Sequence, residues 1–159
     1  MKNFLKLAAC LSLSSVANAE TKSEDAYCLA KNIYFEARNQ DINGQIAVGN
    51  VTLNRVKDKR YPNSICEVVY QSKVDASGNP LRNKCQFSWY CDGKADTMKK
   101  DKQSMELSYF LAENLINGRI ADITQGSTHY HTRSVKPYWR SSVTKITTID
   151  DHIFYRWEQ

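Results

Sequence analysis

Three segments of the chain repeat apolar residues at helical spacing, and this pattern constrains the fold most. The first segment spans residues 24–38, with Ser, Thr and Glu at capping positions before it. One face of this predicted helix carries Ala26, Leu29, Ala30, Ile33 and Ala37. A chain of 159 residues with this pattern predicts one compact domain that is mainly helical.

The second and third helical segments span residues 41–56 and 101–117. Gly49 in the second lowers helix stability, so we expect another helix to approach closely there as compensation. Gly118 is a typical C-terminal stop for the third. The predicted apolar stripes consist of Ile42, Ile46, Gly49, Leu53 and Val56 in the second helix and Leu107, Phe110, Leu111 and Leu115 in the third.

The C-terminal end changes from a helical to a β pattern. Residues 143–149 and 152–157 are rich in β-branched and aromatic side chains and are separated by Asp150-Asp151, which predicts a β-hairpin. Between the helices, Ser64 and Glu67 are placed to cap a short helix, and residues 71–100 read as a loop. The predicted fold class is α+β, mainly α, with a small C-terminal β-hairpin.

The first 19 residues have the features of a secretory signal peptide. A basic start is followed by a short apolar run and by Ala17-Asn18-Ala19, a small-residue cleavage site. The run is too short to span a bilayer. We therefore expect residues 1–19 to be removed and residues 20–159 to act in the periplasm or outside the cell, without a stable membrane anchor. Leu7 to Cys10 also resemble a lipoprotein box, but they would leave almost no apolar run ahead of the cysteine.

The expected mature chain is mildly basic. Residues 20–159 contain 20 basic and 17 acidic residues, a net charge of +3. This charge suits an anionic cell envelope, but it is weak evidence for any particular partner. The basic residues form no run of five, so a nucleic-acid partner is not predicted. We expect a monomer that needs no cofactor.

Four cysteines remain in the mature chain, and an even number in an oxidising compartment predicts two disulfides. Three connectivities are possible. The short loop between Cys85 and Cys91 closes easily, which favours that pair and leaves Cys28 with Cys66. Four buried thiols are the alternative.

Glu36 is the most informative carboxylate. It lies at the edge of the apolar face of the first helix, beside Leu29. Lost hydration there favours the neutral carboxyl group and raises its pKa. A carboxylic acid that stays protonated near neutral pH is what the cleavage of a glycosidic bond requires. The alternative is a boundary glutamate paired with Arg38 or Arg55.

The segment Gln86-Phe87-Ser88-Trp89-Tyr90-Cys91-Asp92-Gly93 combines amide, hydroxyl and aromatic groups in a region with little helical pattern. Sugars bind to such groups by stacking on rings and by hydrogen bonds to amides and hydroxyls. The alternative is a disulfide-closed loop with one tryptophan packed in the core.

Three histidines suggest a rival chemistry. His129 and His131 would share one face of a strand, and with His152 they would make an open zinc site. Because no Asp or Glu lies close to His129 and His131 in sequence, we favour histidines that line a cleft by hydrogen bonding, with no metal.

In their order and spacing, these segments resemble the SleB-type cell-wall hydrolase family, known for spore-cortex-lytic enzymes. The resemblance covers nearly all of the mature chain. It is carried by Leu29-Ala30, Tyr34-Phe35-Glu36-Ala37-Arg38, Gly44 to Val51, Leu53-Asn54-Arg55-Val56, Tyr61-Pro62-Asn63, Ile65-Cys66, Val68-Val69-Tyr70, Gln86-Phe87-Ser88, Asp92-Gly93, Thr128-His129-Tyr130-His131 and His152-Ile153-Phe154-Tyr155. One departure is Asn39-Gln40, which stands where the family usually has Gly-Glu.

The resemblance implies a lysozyme-like catalytic domain that acts on peptidoglycan, with Glu36 as the catalytic glutamate. The substrate-binding residues expected from the matching segments are Gln86, Phe87, Ser88, Trp89, Tyr130, His131, His152 and Tyr155. Asp92 is the best candidate for a second acid.

Two glycosidase chemistries fit these residues. A hydrolase normally needs a second carboxylate. A lytic transglycosylase works with one, because the C6 hydroxyl of the muramic sugar attacks the anomeric carbon and leaves a 1,6-anhydro end. The sequence shows no second carboxylate in an apolar setting like that of Glu36, so we favour the transglycosylase over a hydrolytic muramidase. A zinc amidase or peptidase and a non-catalytic peptidoglycan-binding module are the remaining alternatives.

Overall fold

The structure of the protein is a computed structural model that describes residues 13–98 and 101–158, with side chains from residue 23 onward. Most of the expected signal peptide, residues 1–12, lies outside this range. The four α-helices of the described part are α1 (Leu13–Ala37), α2 (Ile42–Lys57), α3 (Ile65–Val69) and α4 (Lys102–Ile116). None of these helices is long and apolar enough to cross a membrane.

The main core lies where α1 packs against α2, α3 and α4. The face predicted for α1 is confirmed, because its apolar residues are buried. The predicted start at residue 24 is wrong, since the helix already begins at Leu13. The centre of this core contains Leu29, Ala30, Ile33, Val68, Val69, Leu111, Ala112 and Leu115.

Helix α2 is buried on several sides, so its predicted apolar stripe is only partly correct. Ile42 is half exposed, whereas Ala47, Val48 and Val51 are fully buried. The reason is that α2 packs against α1 and α4 and also contacts the C-terminal sheet. The expected close approach at Gly49 is confirmed, since a Cβ there would lie 2.5 Å from Leu115 Cδ1 of α4.

The face of α4 is shifted from the predicted one. Phe110 is 59% exposed, and the buried positions are Ser108, Leu111, Ala112 and Leu115. The hydroxyl of Ser108 donates to the carbonyl oxygen of Ser104 at 2.8 Å, which satisfies its polar group inside the core.

Two antiparallel sheets complete the fold. The C-terminal sheet contains β3 (His129–Thr132), β4 (Thr144–Ile149) and β5 (His152–Arg156) in the order β3-β5-β4, so the predicted hairpin gains a third strand. The second sheet, β1 (Ser72–Val74) with β2 (Pro80–Cys85), lies in the segment that was predicted to be a loop. The side chain of Asp75 organises the turn between β1 and β2 by accepting from the backbone N–H groups of Ser77 and Asn79.

The turn of the C-terminal hairpin is tied to the junction of α1 and α2. The backbone N–H of Asp41 donates to Asp150 Oδ2 at 2.9 Å, and the N–H of Asp151 donates to Gln40 Oε1 at 3.2 Å. Gln40, which departs from the family pattern, therefore holds the start of β5 beside the end of α1.

Candidate active site

Glu36 lies in the last turn of α1 and is partly buried where this helix meets the C-terminal sheet. Burial raises the pKa of its carboxyl group, and this effect outweighs two opposing ones. The opposing effects are a hydrogen bond from Tyr130 and the positive charge of Arg55, both of which favour the carboxylate. Glu36 therefore keeps its proton to a higher pH than an exposed glutamate does. Once the proton has left, Tyr130 and Arg55 stabilise the carboxylate.

Tyr130 on β3 is the direct partner of Glu36. Its hydroxyl donates to Glu36 Oε2 at 2.8 Å. The ring packs against Phe154 and His152, with centroids 5.6 and 5.1 Å away. Burial and the neighbouring Glu36 raise the pKa of Tyr130 well above its usual value, so its hydroxyl keeps the proton that it donates.

Arg55 is a buried cation close to this pair. Its guanidinium lies over the rings of Tyr61 and Phe87, 5.3 and 5.0 Å from their centroids, and its Nε donates to the carbonyl oxygen of Thr128 at 2.8 Å. One terminal nitrogen is buried without a hydrogen-bond partner in the described structure. A buried charge is costly unless other groups stabilise it. The positive charge of Arg55 is stabilised by the faces of the two aromatic rings and by the negative charge of an ionised Glu36.

A structural ion pair does not account for Glu36. Arg38 instead stacks on the ring of Tyr34 at 4.8 Å and donates to the carbonyl oxygen of the same residue. Within residues 23–98 and 101–158, neither Arg38 nor Arg55 forms a salt bridge with Glu36. The alternative of a boundary glutamate paired with an arginine therefore does not describe this structure.

Two adjoining cavities meet at Glu36. The larger, about 620 Å³, lies towards the loop after β2, and the smaller, about 370 Å³, lies towards the hairpin turn. Both are lined by Glu36, Thr132 and His152. Glu36 therefore lies where the two cavities adjoin, so an extended chain that occupied both cavities would pass its side chain.

The segment predicted to bind sugar contributes unequally to the larger cavity. Ser88 and Trp89 line it, whereas Phe87 is buried beneath Arg55, and Gln86 is exposed and does not line it. Trp89 is itself mostly buried, stacks on Phe35 at 4.8 Å and donates from Nε1 to Asn32 Oδ1 at 3.0 Å. The alternative of a core tryptophan in a disulfide-closed loop is therefore a good description of Trp89.

Both predicted disulfides are present in the structure. Cys85–Cys91 joins the end of β2 to a short 3-10 helix (Ser88–Cys91), and Cys28–Cys66 joins α1 to α3. The first bond fixes the loop that carries Ser88 and Trp89 beside the larger cavity. In the second bond, Cys28 belongs to the main core and Cys66 is partly buried against it.

Three aspartates also line the larger cavity, and two of them have local structural roles. Asp92 accepts from the backbone N–H of Lys94 at 2.8 Å and forms an ion pair with the same lysine, while Asp101 caps α4. Burial raises the pKa of Asp96, the third of them.

The strand register separates the predicted histidines. His131 pairs with Ile153, and Thr132 pairs with His152. Since side chains alternate between faces, His152 shares the Glu36 face with Tyr130, whereas His129 and His131 lie on the opposite face. The register therefore excludes the alternative of a zinc site made of these three histidines. The described residues contain no cluster of metal-binding side chains.

His131 and Tyr155 also lie away from the cavities at Glu36, contrary to their predicted role in substrate binding. They stack on each other, and His131 Nε2 is 2.8 Å from the Tyr155 hydroxyl. On the same face, burial lowers the pKa of His129 to about 4, and its ring contacts Trp139 and Trp157. The side chains on this face of the sheet therefore pack against one another as a cluster of aromatic rings.

A larger open cavity of about 990 Å³ lies at the other end of β3 and β5. It shares no lining residue with the two cavities at Glu36. Its acidic side chains are already paired with arginines, Asp58 with Arg60 and Glu158 with Arg156. Although this cavity is the largest of the three, the described residues that line it offer no unpaired carboxylate, and it is therefore not the candidate active site.

Sequence reasoning missed several residues that line the cavities. Tyr34 and Thr132 have a usable signal, because Tyr34 is near Glu36 on α1 and Thr132 alternates with Tyr130 on β3. Asp96 has none, since it lies in an irregular segment between elements.

Comparisons with known proteins identify a family and a shared fold for this chain. A family model described as Cell Wall Hydrolase matches residues 39–155, beginning just after Glu36. A stretch of 49 residues is 37% identical to the spore cortex-lytic enzyme of Bacillus subtilis (strain 168). That match covers 31% of this chain and 16% of the relative, a small part of its length.

Two solved structures share the fold. The catalytic domain of the germination-specific lytic transglycosylase SleB from Bacillus anthracis has a TM-score of 0.61 at 24% identity, covering 83% of this chain and 93% of that one. The catalytic domain of the Bacillus cereus SleB protein has a TM-score of 0.60 at 23% identity, covering 84% and 91%. They confirm the predicted α+β, mainly helical fold.

Proposed function

This chain belongs to the cell wall hydrolase family, and we propose that it is a lytic transglycosylase that cuts the glycan strands of peptidoglycan and leaves 1,6-anhydro-muramic ends. The observation that carries the proposal is the half-buried Glu36, bonded to Tyr130 where two cavities meet. The shared fold of the Bacillus anthracis protein, a germination-specific lytic transglycosylase, adds support.

In the first step, Glu36 acts as the general acid. Its proton passes to the oxygen that bridges the muramic sugar and the next sugar, and the bond from this oxygen to the anomeric carbon breaks. The Glu36 carboxylate that remains accepts the Tyr130 hydrogen bond and faces the charge of Arg55. Both interactions are stronger with the anion than with the neutral acid, so they favour the transfer.

In the second step, the same carboxylate acts as the base. It takes the proton of the C6 hydroxyl of the muramic sugar, and that oxygen forms a bond to the anomeric carbon. Glu36 is then protonated again, and no water is consumed. Because the nucleophile belongs to the substrate and is already oriented, a second protein carboxylate is not needed.

A hydrolytic muramidase is the second candidate, because Asp92 and Asp96 line the same cavity as Glu36. In that reaction one of them would activate water or attack the sugar. Mass spectrometry of fragments from purified peptidoglycan distinguishes the candidates. Anhydro ends support the transglycosylase, reducing muramic ends support the hydrolase, free peptides indicate an amidase or peptidase, and binding without soluble fragments indicates a non-catalytic module.

We also propose that the protein is exported and acts on the wall as a monomer. Two disulfides suit an oxidising compartment. The signal-like residues 1–19 provide a route for export.

A further inference from the structure

His152 has an unusual position beside Glu36. It begins β5, is 3% exposed, and lines both cavities that meet at the carboxyl group. Its ring lies edge-on to the ring of Tyr130, with centroids 5.1 Å apart. The hairpin turn before it is tied to Gln40, which follows the end of the helix that carries Glu36.

The two ring nitrogens of His152 have different surroundings. Nδ1 is fully buried and has no hydrogen-bond partner in the described structure. A proton on Nδ1 would therefore be a buried donor without an acceptor, an arrangement that is rare in proteins. A cationic ring needs a proton on both nitrogens, so burial disfavours that form as well, in agreement with the lowered pKa of His152.

From this asymmetry we infer that His152 is a neutral imidazole whose Nε2–H donates a hydrogen bond to an uncharged oxygen of the sugar bound at Glu36. The inference rests on the proposed function for the identity of the ligand. Nδ1 is fully buried, whereas Nε2 is not among the buried atoms without a partner, so Nε2 is the ring nitrogen available to the cavities that His152 lines. His152 is then a residue that positions the sugar ring for proton transfer from Glu36.

Nitrogen NMR tests the tautomer without reference to activity. The chain has three histidines, so the ¹⁵N signals are assignable by single substitutions. We expect the pattern of an Nε2–H tautomer for His152 near neutral pH. In the Glu36→Gln protein, addition of soluble glycan fragments from purified peptidoglycan should shift the Nε2 signal, while His131, bonded to Tyr155 on the opposite face, should not respond.

A pair of substitutions tests the donor itself. The amide nitrogen of Gln can replace Nε2, whereas that of Asn lies nearer the position of Nδ1. His152→Gln should keep KM within ~3-fold of wild type, and His152→Asn should raise it by ~3–10-fold or more, the usual effect of one lost hydrogen bond. An Nδ1–H tautomer, a cationic ring, or an unshifted Nε2 signal with bound fragments would overturn the inference.

The test separates this inference from the proposed function. If the wild-type protein releases no 1,6-anhydro-muramic ends from purified peptidoglycan, the proposed function fails whatever the tautomer is. If those ends appear but His152 carries its proton on Nδ1, only the present inference fails.

Discussion

The Tyr130 hydroxyl donates to Glu36 Oε2 at 2.8 Å and joins positions that are 94 residues apart in sequence. This bond links the last turn of α1 to β3, so the catalytic candidate depends on the docking of the C-terminal sheet against the helices. It also opposes the effect of burial on the pKa of Glu36. The protonation state of Glu36 is therefore set by this balance and by the charged groups around it.

The first prediction concerns Glu36→Gln. The substitution is nearly isosteric, so the circular dichroism spectrum and the unfolding midpoint should stay close to wild type. Release of soluble wall fragments should fall by ~10²–10⁴-fold, the usual contribution of general acid–base catalysis. Activity within a few-fold of wild type would exclude Glu36 as the acid.

Tyr130→Phe should change the pH profile. The hydrogen bond lowers the pKa of Glu36 by favouring its carboxylate, so removal of the hydroxyl raises that pKa. The acid form then persists to higher pH, so the alkaline limb of the pH profile of kcat/KM should shift to higher pH. Tyr155→Phe is the matched control, because it removes a hydroxyl from the opposite face of the same sheet. Equal profiles for the two variants would count against the role of Tyr130.

Much of the helical framework was predictable, because apolar spacing reports burial on one face. The prediction was correct for the buried face of α1, where Leu29 and Ile33 face a single core, but not for its start, which is Leu13 and not residue 24. It was less accurate for α2, which packs against α1, α4 and the C-terminal sheet. A helix that is buried on several sides has no single apolar stripe. The short strands β1 and β2 were missed, because their residues are mostly exposed and lack alternating burial.

The candidate site was predictable only in part. The position of Glu36 at the edge of an apolar face was visible in the sequence, but its partner Tyr130 depends on sheet register. The same register separates His152 from His131, and no local pattern revealed which strand would pair with β3. Residues that meet only through long-range pairing, such as Glu36 and Tyr130, therefore required the structure.

The two disulfides should differ in their effect on stability. Cys28–Cys66 closes a sequence separation of 38 residues, and Cys85–Cys91 closes one of 6. Loop-closure entropy predicts a loss of ~4 kcal/mol for the double serine variant of the first pair and ~2 kcal/mol for that of the second. Urea unfolding of both variants checks the order. A larger loss for the shorter loop would contradict this account.

Export should leave a mature protein that begins at Glu20, because Ala17-Asn18-Ala19 is the expected cleavage site. The four cysteines that remain are all bonded in the structure, so the natively exported protein should contain no free thiol after unfolding. Intact mass and thiol titration check both points. Four titratable thiols, or a lipid-modified Cys10 at the N-terminus, would refute them.

The last prediction decides between the two glycosidase chemistries. A transglycosylase needs no second protein carboxylate, so Asp92→Asn and Asp96→Asn should each retain substantial activity and yield anhydro-muramic products. Asp92 is already engaged by the backbone and the ammonium group of Lys94, which favours a structural role in its turn. Burial raises the pKa of Asp96, which makes its carboxylate more basic than that of an exposed aspartate, so Asp96→Asn is a stringent test.

The control for the two aspartates is Asp101→Asn, which alters the cap of α4 in the same cavity. Because Asn caps helices about as well as Asp, the stability and the products should both stay close to those of the wild-type protein. Reducing muramic ends from the wild-type protein, together with an inactive and normally folded Asp92→Asn or Asp96→Asn variant, would establish the hydrolase instead. That variant would also identify the second carboxylate, because a retaining or inverting mechanism cannot proceed without it.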